Sequence, residues 1–412
     1  MSVLLIDPVS SGSFLAAAFA ESGAETVHAY GTEFADRAAA DPHPRSLVLS
    51  ETGDYAELEH LGVTEVVAAS EFGVTRASEI ADHLGMAHHG SYKREARRSK
   101  PAMQRALEEA GVPSLRTHEV SSVAEAADVV SRMNAPHRPH IVKPRESAGG
   151  DGCSLVTQSE KIVPTVESLL GQSNLMGQPN TSVLIQDYAE GPQYIVNTVS
   201  SFGQHYLSEI YYEHIDERSG SPVLRHITSL SYLDEDAQAI VDYTFSCLDA
   251  LEILHGAAHS EVRLTPDGPR LVEVNSRVMG PRLDPDPYML AFGYTHQHLV
   301  VEQVLSPTNF TTRMSRPYQP QATLCKVFLR SPNEGVLAGS PGLETLRRLP
   351  GFHSVVCLPT IGRPLQDIRL TTAKTGVAYF VHEDASLIAS SVRAIHDLED
   401  AGEFFRVQPC AT

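Results

Sequence analysis

The 412-residue sequence is short of positive charge, of paired cysteines and of long apolar runs. Lys and Arg number 32 against 51 Asp and Glu, a net charge of −19. A protein that grips a nucleic-acid backbone carries a basic footprint, so this balance excludes bulk nucleic-acid binding while leaving room for a local basic pocket. The five cysteines (Cys153, Cys247, Cys325, Cys357, Cys410) are far apart and form no CxxC pair, which argues against a zinc site and fits a reducing compartment. No stretch approaches the ~18 consecutive apolar residues of a membrane span. The opening MSVLLIDPVSSGSFLAAAFAESG has no Lys or Arg ahead of its apolar run, which Asp7 and Pro8 interrupt, so no leader is expected. The expectation is a cytoplasmic protein with neither membrane nor nucleic-acid partner. Repeats and low-complexity tracts are also missing. With 42% hydrophobic and 20% charged residues the composition is globular, and the length allows two or three domains at ~150 residues each.

The first hundred residues alternate strand and helix signals. Val3 to Ile6, Leu47 to Leu49 and Glu65 to Ala69 read as strands, and Thr75 to Leu84 as a helix, a rhythm that implies a parallel sheet. The basic patch KREARRSK (93–100) ends this region. A helix follows from about Pro101 to Ala110, with Met103, Ala106, Leu107 and Ala110 on its buried stripe and Gly111 and Pro113 as stop signals. Between about 115 and 205 strands are short and turns glycine-rich, as in a small α+β unit. Thr311 to Pro320 has little apolar periodicity and marks a boundary. Beyond it, strands at 323–328, 354–357 and 375–380 and a closing helix near 385–398 are expected.

Two segments carry chemistry. In the first, His140 to Val156 reads strand, loop, strand, and its loop Ser147-Ala-Gly-Gly-Asp-Gly152 has three glycines, Gly149, Gly150 and Gly152, in four positions. Successive glycine N–H groups can point into one concavity and bind phosphate oxygens. Lys143, four residues before the loop, could reach the same anion, as could Lys100 at a helix start; a mobile hairpin with surface lysines is the competing reading. The loop is neither a GK[ST] phosphate loop nor a GxGxxG turn.

In the second, His259 to Arg277 folds on paper into a hairpin around Pro266-Asp267-Gly268, with glycine at the left-handed third position. That closure pairs Thr265 with Pro269, Arg263 with Leu271, Glu261 with Glu273 and His259 with Asn275. Glu261, Glu273, Asn275 and Arg277 then share one face, while Val262, Leu264, Val272 and Val274 form an apolar one. Opposed carboxylates lie about 5 Å apart at Cβ and repel, and a buried apolar face prevents relief by slippage. A divalent cation resolves the conflict, and carboxylate, amide and phosphate oxygens favour Mg²⁺ or Mn²⁺. The alternative is a solvated sheet face softened by Arg263 and Arg277.

A glycine-rich phosphate loop upstream of a Glu…Glu-x-Asn-x-Arg hairpin resembles the ATP-grasp superfamily of carboxylate–amine ligases, and within it the bacterial L-amino-acid ligases of the bacilysin-synthetase type. The resemblance implies an α/β and α+β architecture: an N-terminal parallel-sheet domain (1–98), an ATP-grasp core (99–315) with a small lid at about 115–187, and a C-terminal α+β domain (316–412). By position, it implies that Lys100, Lys143 and Ser147 to Gly152 bind ATP phosphates. Backbone at Asp187 and Ala189 would take adenine, with Gln186 and Gln193 standing where Glu is usual. Glu261, Glu273 and Asn275 would hold Mg²⁺ or Mn²⁺, Arg277 would neutralise an acyl phosphate, and His226 would line the substrate site. Pro281 occupies a position where relatives place a bulky pocket residue.

The implied activity is amide formation between an amino acid or related acid and an amine through an acyl phosphate, releasing ADP and phosphate. Its partners would be small molecules, with a homodimer the default for a soluble enzyme. Other acceptors (ammonia, a polyamine, a peptide), a carboxylase-like use of bicarbonate, a non-catalytic nucleotide binder and, more remotely, a nicotinamide-dependent oxidoreductase remain as alternatives. The first βαβ turn, Pro8 to Ser13, lacks the GxGxxG of the last. Cys153, beside the loop, is read as packing.

Overall fold

The computed structural model describes residues 2–50, 55–86, 93–133, 138–145, 151–174, 177–216, 223–280, 284–365 and 375–409. The N-terminal sheet holds β1 (Ser2–Ile6), β2 (Glu25–Tyr30), β3 (Ser46–Val48) and β4 (Val63–Ala68) in the order β3-β2-β1-β4, all parallel. Central β1 is buried along its length, as a parallel strand covered on both faces must be. Strand β2 escapes a pattern search because His28 interrupts its apolar run; its imidazole is paired with Asp41 at 2.7 Å.

The lid is a four-stranded antiparallel sheet, β5 (Thr117–Val120), β6 (His140–Pro144), β7 (Ser154–Val156) and β8 (Val183–Asp187), ordered β5-β8-β6-β7. Val142 and Ile185 pack with Ala126, Ile162 and Val166 from the helices Val123–Arg132 and Ile162–Leu169. Strand alternation therefore turns Ile141 and Lys143 to the other side, into the cleft.

The main sheet has eight strands. It takes β9 (Gln193–Ser201), β10 (Gln204–Asp216), β11 (Val223–Ser229), β12 (Gly256–Thr265) and β13 (Gly268–Asn275), then β14 (Thr323–Phe328). After β15 (Val336–Gly339) come β16 (Phe352–Val356) and β17 (Val377–His382), and β18 (Arg406–Gln408) pairs with β15 in a separate ribbon. The spatial order is β13-β12-β9-β10-β11-β14-β17-β16, so the C-terminal α+β segment continues the core sheet. One face packs on the helices Lys100–Glu109 and Glu235–Ala250 through Met103, Leu107, Ile240, Leu248, Val262, Leu271 and Val274. The other looks into the cleft near β12 and β13, and farther along carries a second apolar cluster around Tyr211, Ile227, Leu324 and Tyr379.

The β12–β13 hairpin departs from the expected register in one place. His259 faces Asn275 and Glu261 faces Glu273, but a bulge then pairs Val262 with Leu271, Arg263 with Arg270 and Thr265 with Gly268. The loop is thus the two residues Pro266 and Asp267. Leu271 is drawn to the core and Val272 to the cleft, where alternation had assigned Val272 to the apolar face. The cause is tertiary: the Leu271 N–H donates to the Tyr243 hydroxyl at 2.8 Å, and its carbonyl accepts from Gln104 Nε2 at 2.8 Å. Side chains of two helices thereby take backbone groups that a regular ladder would use.

Lid and core meet at Gly191, between β8 and β9. Its φ of +147° lies where only glycine is comfortable, and a Cβ there would collide with the carbonyl of Leu264. Gly191→Ala is expected to destabilise the protein by about 2 kcal/mol or more in urea unfolding; a loss below ~0.5 kcal/mol would contradict this role.

Candidate active site

The lid and the main sheet flank an open cleft, lined among others by Lys100, Lys143, Gln186, Gln193, Glu213, Glu261, Arg263 and Glu273. Three sources of charge meet there. Lys143 projects from β6 and donates to Gln186 Oε1 at 2.9 Å, while Gln186 Nε2 donates to Thr117 Oγ1 at 2.8 Å. This relay points an amide oxygen at the ammonium and leaves the lysine's charge unneutralised, where a glutamate would cancel it. Burial, with the nearby Lys100 charge, lowers the Lys143 pKa.

Lys100 opens its helix and lies 2.8 Å from Glu273 Oε2. Burial works against its charge, yet Glu273, with Glu71 and Glu261 beyond, holds the ammonium above its ordinary value. Burial likewise works against the Glu273 charge, but Lys100, the Asn275 amide (3.0 Å to Oε1) and Lys143 hold it well below the usual carboxylate range.

Glu261 is in the opposite condition. Burial, then the Glu273 and Glu213 charges, push it well above the carboxylate range, although Gln193 Nε2 donates to it at 3.2 Å. Glu213, on β10, is pushed up to about 7, chiefly by burial. Its Oε2 is buried without a hydrogen-bond partner. A pair of crowded acids, one charged and one driven toward its neutral form, is what directly opposed carboxylates do when only lysines balance them.

Arg263, anticipated only as a softening charge, organises one wall. Its Nε donates to Gln193 Oε1 at 2.8 Å and its Nη1 to the Ala189 carbonyl at 3.2 Å; its guanidinium also meets the Tyr188 hydroxyl and lies 4.8 Å from that ring's centroid. His259 Nδ1 lies 2.9 Å from Asn197 Oδ1, and Asn197 Nδ2 donates to the buried Glu209 at 2.7 Å. With the amide oriented by that carboxylate, His259 carries its proton on Nδ1 and presents Nε2 toward Glu261 Oε1, 3.9 Å away. At the far end Arg277 Nε donates to Glu71 Oε2 at 2.8 Å, and Glu71 also pairs with Arg98. Glu71 sits just past β4, at the carboxyl end of the parallel sheet.

The structure thus brings together Lys100, Lys143, Gln186, Gln193, Glu261, Glu273 and Asn275, and places Arg277 beyond them against the N-terminal sheet. Gly152 packs on Pro144 with φ +66°; Ser147, Gly149 and Gly150 lie outside the described residues, as does Pro281. Asp187 and Ala189 border the cleft, but the Asp187 N–H donates to the Arg116 carbonyl at 2.9 Å and the Tyr188 N–H to that of Pro139 at 3.1 Å.

His226 is not brought to this wall. Glu213 pairs with Ile227 and His214 with His226, after which the register skips Arg225. Alternation from Ile227 turns His226 to the opposite face, stacked 3.8 Å from His214 and 2.9 Å from His396 Nε2, and the bulge at Arg225 then leaves Leu224 on the cleft side. Arg225 anchors that turn by pairing with Glu399 and Asp400, both at 3.1 Å. Cys153 lines the cleft with its thiol pushed up by burial, which keeps it protonated.

Glu213, His259, Glu71 and Tyr188 escaped the sequence reading. The alternation in EIYYEHID hints at Glu213, but only the pairing of Gln193 with Glu213 shows which face it takes.

Among the described residues no three His, Cys, Asp or Glu side chains form a ready metal cage. The donor set does fit a hard dication: two carboxylates and the Asn275 amide supply oxygens, the Glu213 oxygen is unpartnered, and a nucleotide's phosphates would complete the shell.

Residues 137–285 match the family model of the ATP-grasp domain. Dapdiamide A synthase of Enterobacter agglomerans is 25% identical over 417 residues, covering 96% of this chain and 95% of that protein. The L-amino acid ligase of Bacillus licheniformis superposes with a TM-score of 0.75 at 17% identity, over 99% of each chain. A carboxyaminoimidazole ribonucleotide synthase from Aspergillus clavatus, solved with ATP, gives 0.67 at 12% identity, over 97% of this chain and 98% of that one. Residues 137–285 thus form an ATP-grasp domain, and over its whole length the chain is similar to ATP-dependent ligases built on that domain.

The buried acids give a pH test. Glu213 ionises near 4.5 when unfolded and near 7 when folded, so the native state holds the extra proton between these values. Its ionisation then costs stability as pH rises, up to an order of 3 kcal/mol. In metal-free buffer, Glu213→Gln is expected to gain thermal stability over the wild type as pH rises from 4.5 to 7 and to hold that advantage above. An advantage that shrinks with rising pH would contradict the assignment.

Proposed function

We propose that the protein joins two amino acids, or an amino acid and a closely related acid, through an acyl phosphate made from ATP. The single observation behind this is the cross-strand pair Glu261–Glu273, buried in one cleft with Lys100 and Lys143 from separate elements. A carboxylate is a poor electrophile and ATP a dense anion, so their encounter needs concentrated positive charge.

Lys143 and Lys100 hold the phosphates in this reading, and Ser147, Gly149, Gly150 and Gly152 belong to the glycine-rich segment expected to bind them with their backbone N–H groups. Gln186 keeps Lys143 in place without neutralising it. Because the Asp187 N–H is already committed, the adenine edge falls to the chain near Ala189, with Gln193 beside the ribose. Glu261, Glu273 and Asn275 would hold Mg²⁺ or Mn²⁺, which supplies charge neutralisation at the phosphates. Arg277, released from Glu71, takes the oxygen of the carboxylate being activated. The amine then attacks the acyl carbon, phosphate departs, and water stays out beneath the lid. The domain division at about residues 98 and 315, with a lid at 115–187, belongs to the same reading, as do a soluble setting and a homodimer. Among the described residues no helix is long and apolar enough to cross a membrane.

Two relatives are named for this kind of chemistry, an L-amino acid ligase and a dapdiamide synthase. The protein incubated with ATP, Mg²⁺ and pairwise combinations of L-amino acids is expected to release ADP only with a productive pair, with a product mass equal to the two acids less one water. ADP release independent of any amino acid, or none across the full panel, would overturn the proposal.

A further inference from the structure

Lys326 lies in the middle of β14 and is 1% exposed. Lysine is almost never buried to that degree without a counter-charge. Among the described residues no carboxylate lies within ion-pair distance of it; its Nζ lies 5.0 Å from the centroid of the Phe328 ring, and the Cys357 thiol is nearby. Burial pushes the ammonium down to about 8, so it is still largely charged at neutral pH.

The sheet register places this cation. Arg263 pairs with Gln193, Gln193 with Glu213, Glu213 with Ile227, and Ile227 with Lys326. Residues in one such rank point to the same face, so Lys326 stands on the cleft side of the sheet, two strands and about 10 Å from Glu213. Its neighbours Cys325 and Val327 point the other way, into the C-terminal core.

The reaction brings three kinds of anion to this face. The triphosphate has Lys100 and Lys143. The carboxylate to be activated must lie between the phosphates and Arg277. An amino acid that acts as the amine brings a third, its own α-carboxylate, which must be bound away from the phosphates so that it is not itself phosphorylated. The geometry points to Lys326 as the residue that binds the free α-carboxylate of the amine substrate and so selects amino acids over simple amines. This rests on the ligase reading above for the identity of the anion.

The test compares L-amino acids with their carboxamides, which carry the same amine and side chain without the charge (L-alanine against L-alaninamide, L-phenylalanine against L-phenylalaninamide, and so on). Binding is measured by calorimetry in the presence of ADP and Mg²⁺, and turnover as ADP release with ATP. The wild type is expected to prefer the amino acid by tenfold or more, the scale of a charge-assisted hydrogen bond in a buried site. Lys326→Met is expected to abolish that preference, to leave the KM for ATP unchanged, and to melt no lower than the wild type, because it removes a buried charge with no carboxylate partner among the described residues.

The assignment is overturned if the wild type shows no preference, if the preference survives in Lys326→Met, if amino acid and carboxamide lose equally, or if the loss falls on dicarboxylic donors instead. A variant that melts well below the wild type also overturns it, since Lys326 would then have its counter-charge within the chain. Preference in binding without product would sink the ligase reading and leave the carboxylate site standing; product without preference would do the reverse.

Discussion

Two carboxylates are forced together on β12 and β13 because the other face of the same hairpin is committed to the core. Val262, Leu271 and Val274 are buried against the helices Lys100–Glu109 and Glu235–Ala250, so the strands cannot slip to separate Glu261 from Glu273. The repulsion is carried in the native state as a split: Glu273 stays charged on Lys100, and Glu261 is driven toward neutrality. A hard dication bound between them would relieve what the fold imposes.

The rest of the molecule is arranged around that pair. The lid brings Lys143 from a different sheet, held by an uncharged glutamine that does not neutralise it. The N-terminal sheet brings Glu71, which occupies Arg277 and ties the first hundred residues to the cleft. The C-terminal strands extend the same sheet, so Lys326 shares a rank with Glu213 although more than a hundred residues separate them in sequence. Lys100 thus meets the acids at β13, Arg277 lies just past that strand, and Lys326 stands farther along the sheet on β14.

Local patterns made the frame legible. A buried apolar face fixed the pairing of Glu261 with Glu273 and His259 with Asn275, and β14 falls on the expected residues 323–328. What stayed hidden depends on partners distant in the chain. The bulge at Val272 arises because Tyr243 and Gln104 capture the backbone of Leu271. That at Arg225 arises where its guanidinium pairs with Glu399 and Asp400, and it brings Leu224 to the cleft, while His226 keeps the far face that alternation from Ile227 gives it. In both cases strict alternation predicts the wrong face for one residue, since a single inserted position reverses the pleat. Glu71 and Lys326 carry no motif at all, and only the assembled sheets show where they stand.

In the proposed function the two acids bind nucleotide through a shared dication, which calorimetric titration of ADP tests most directly. ADP is expected to bind the wild type far more tightly with Mg²⁺ than with EDTA, and Glu261→Gln is expected to lose that metal-dependent gain while keeping the weaker metal-free binding to the lysines. Equal affinity with and without Mg²⁺, or a full metal effect in the variant, would contradict the account.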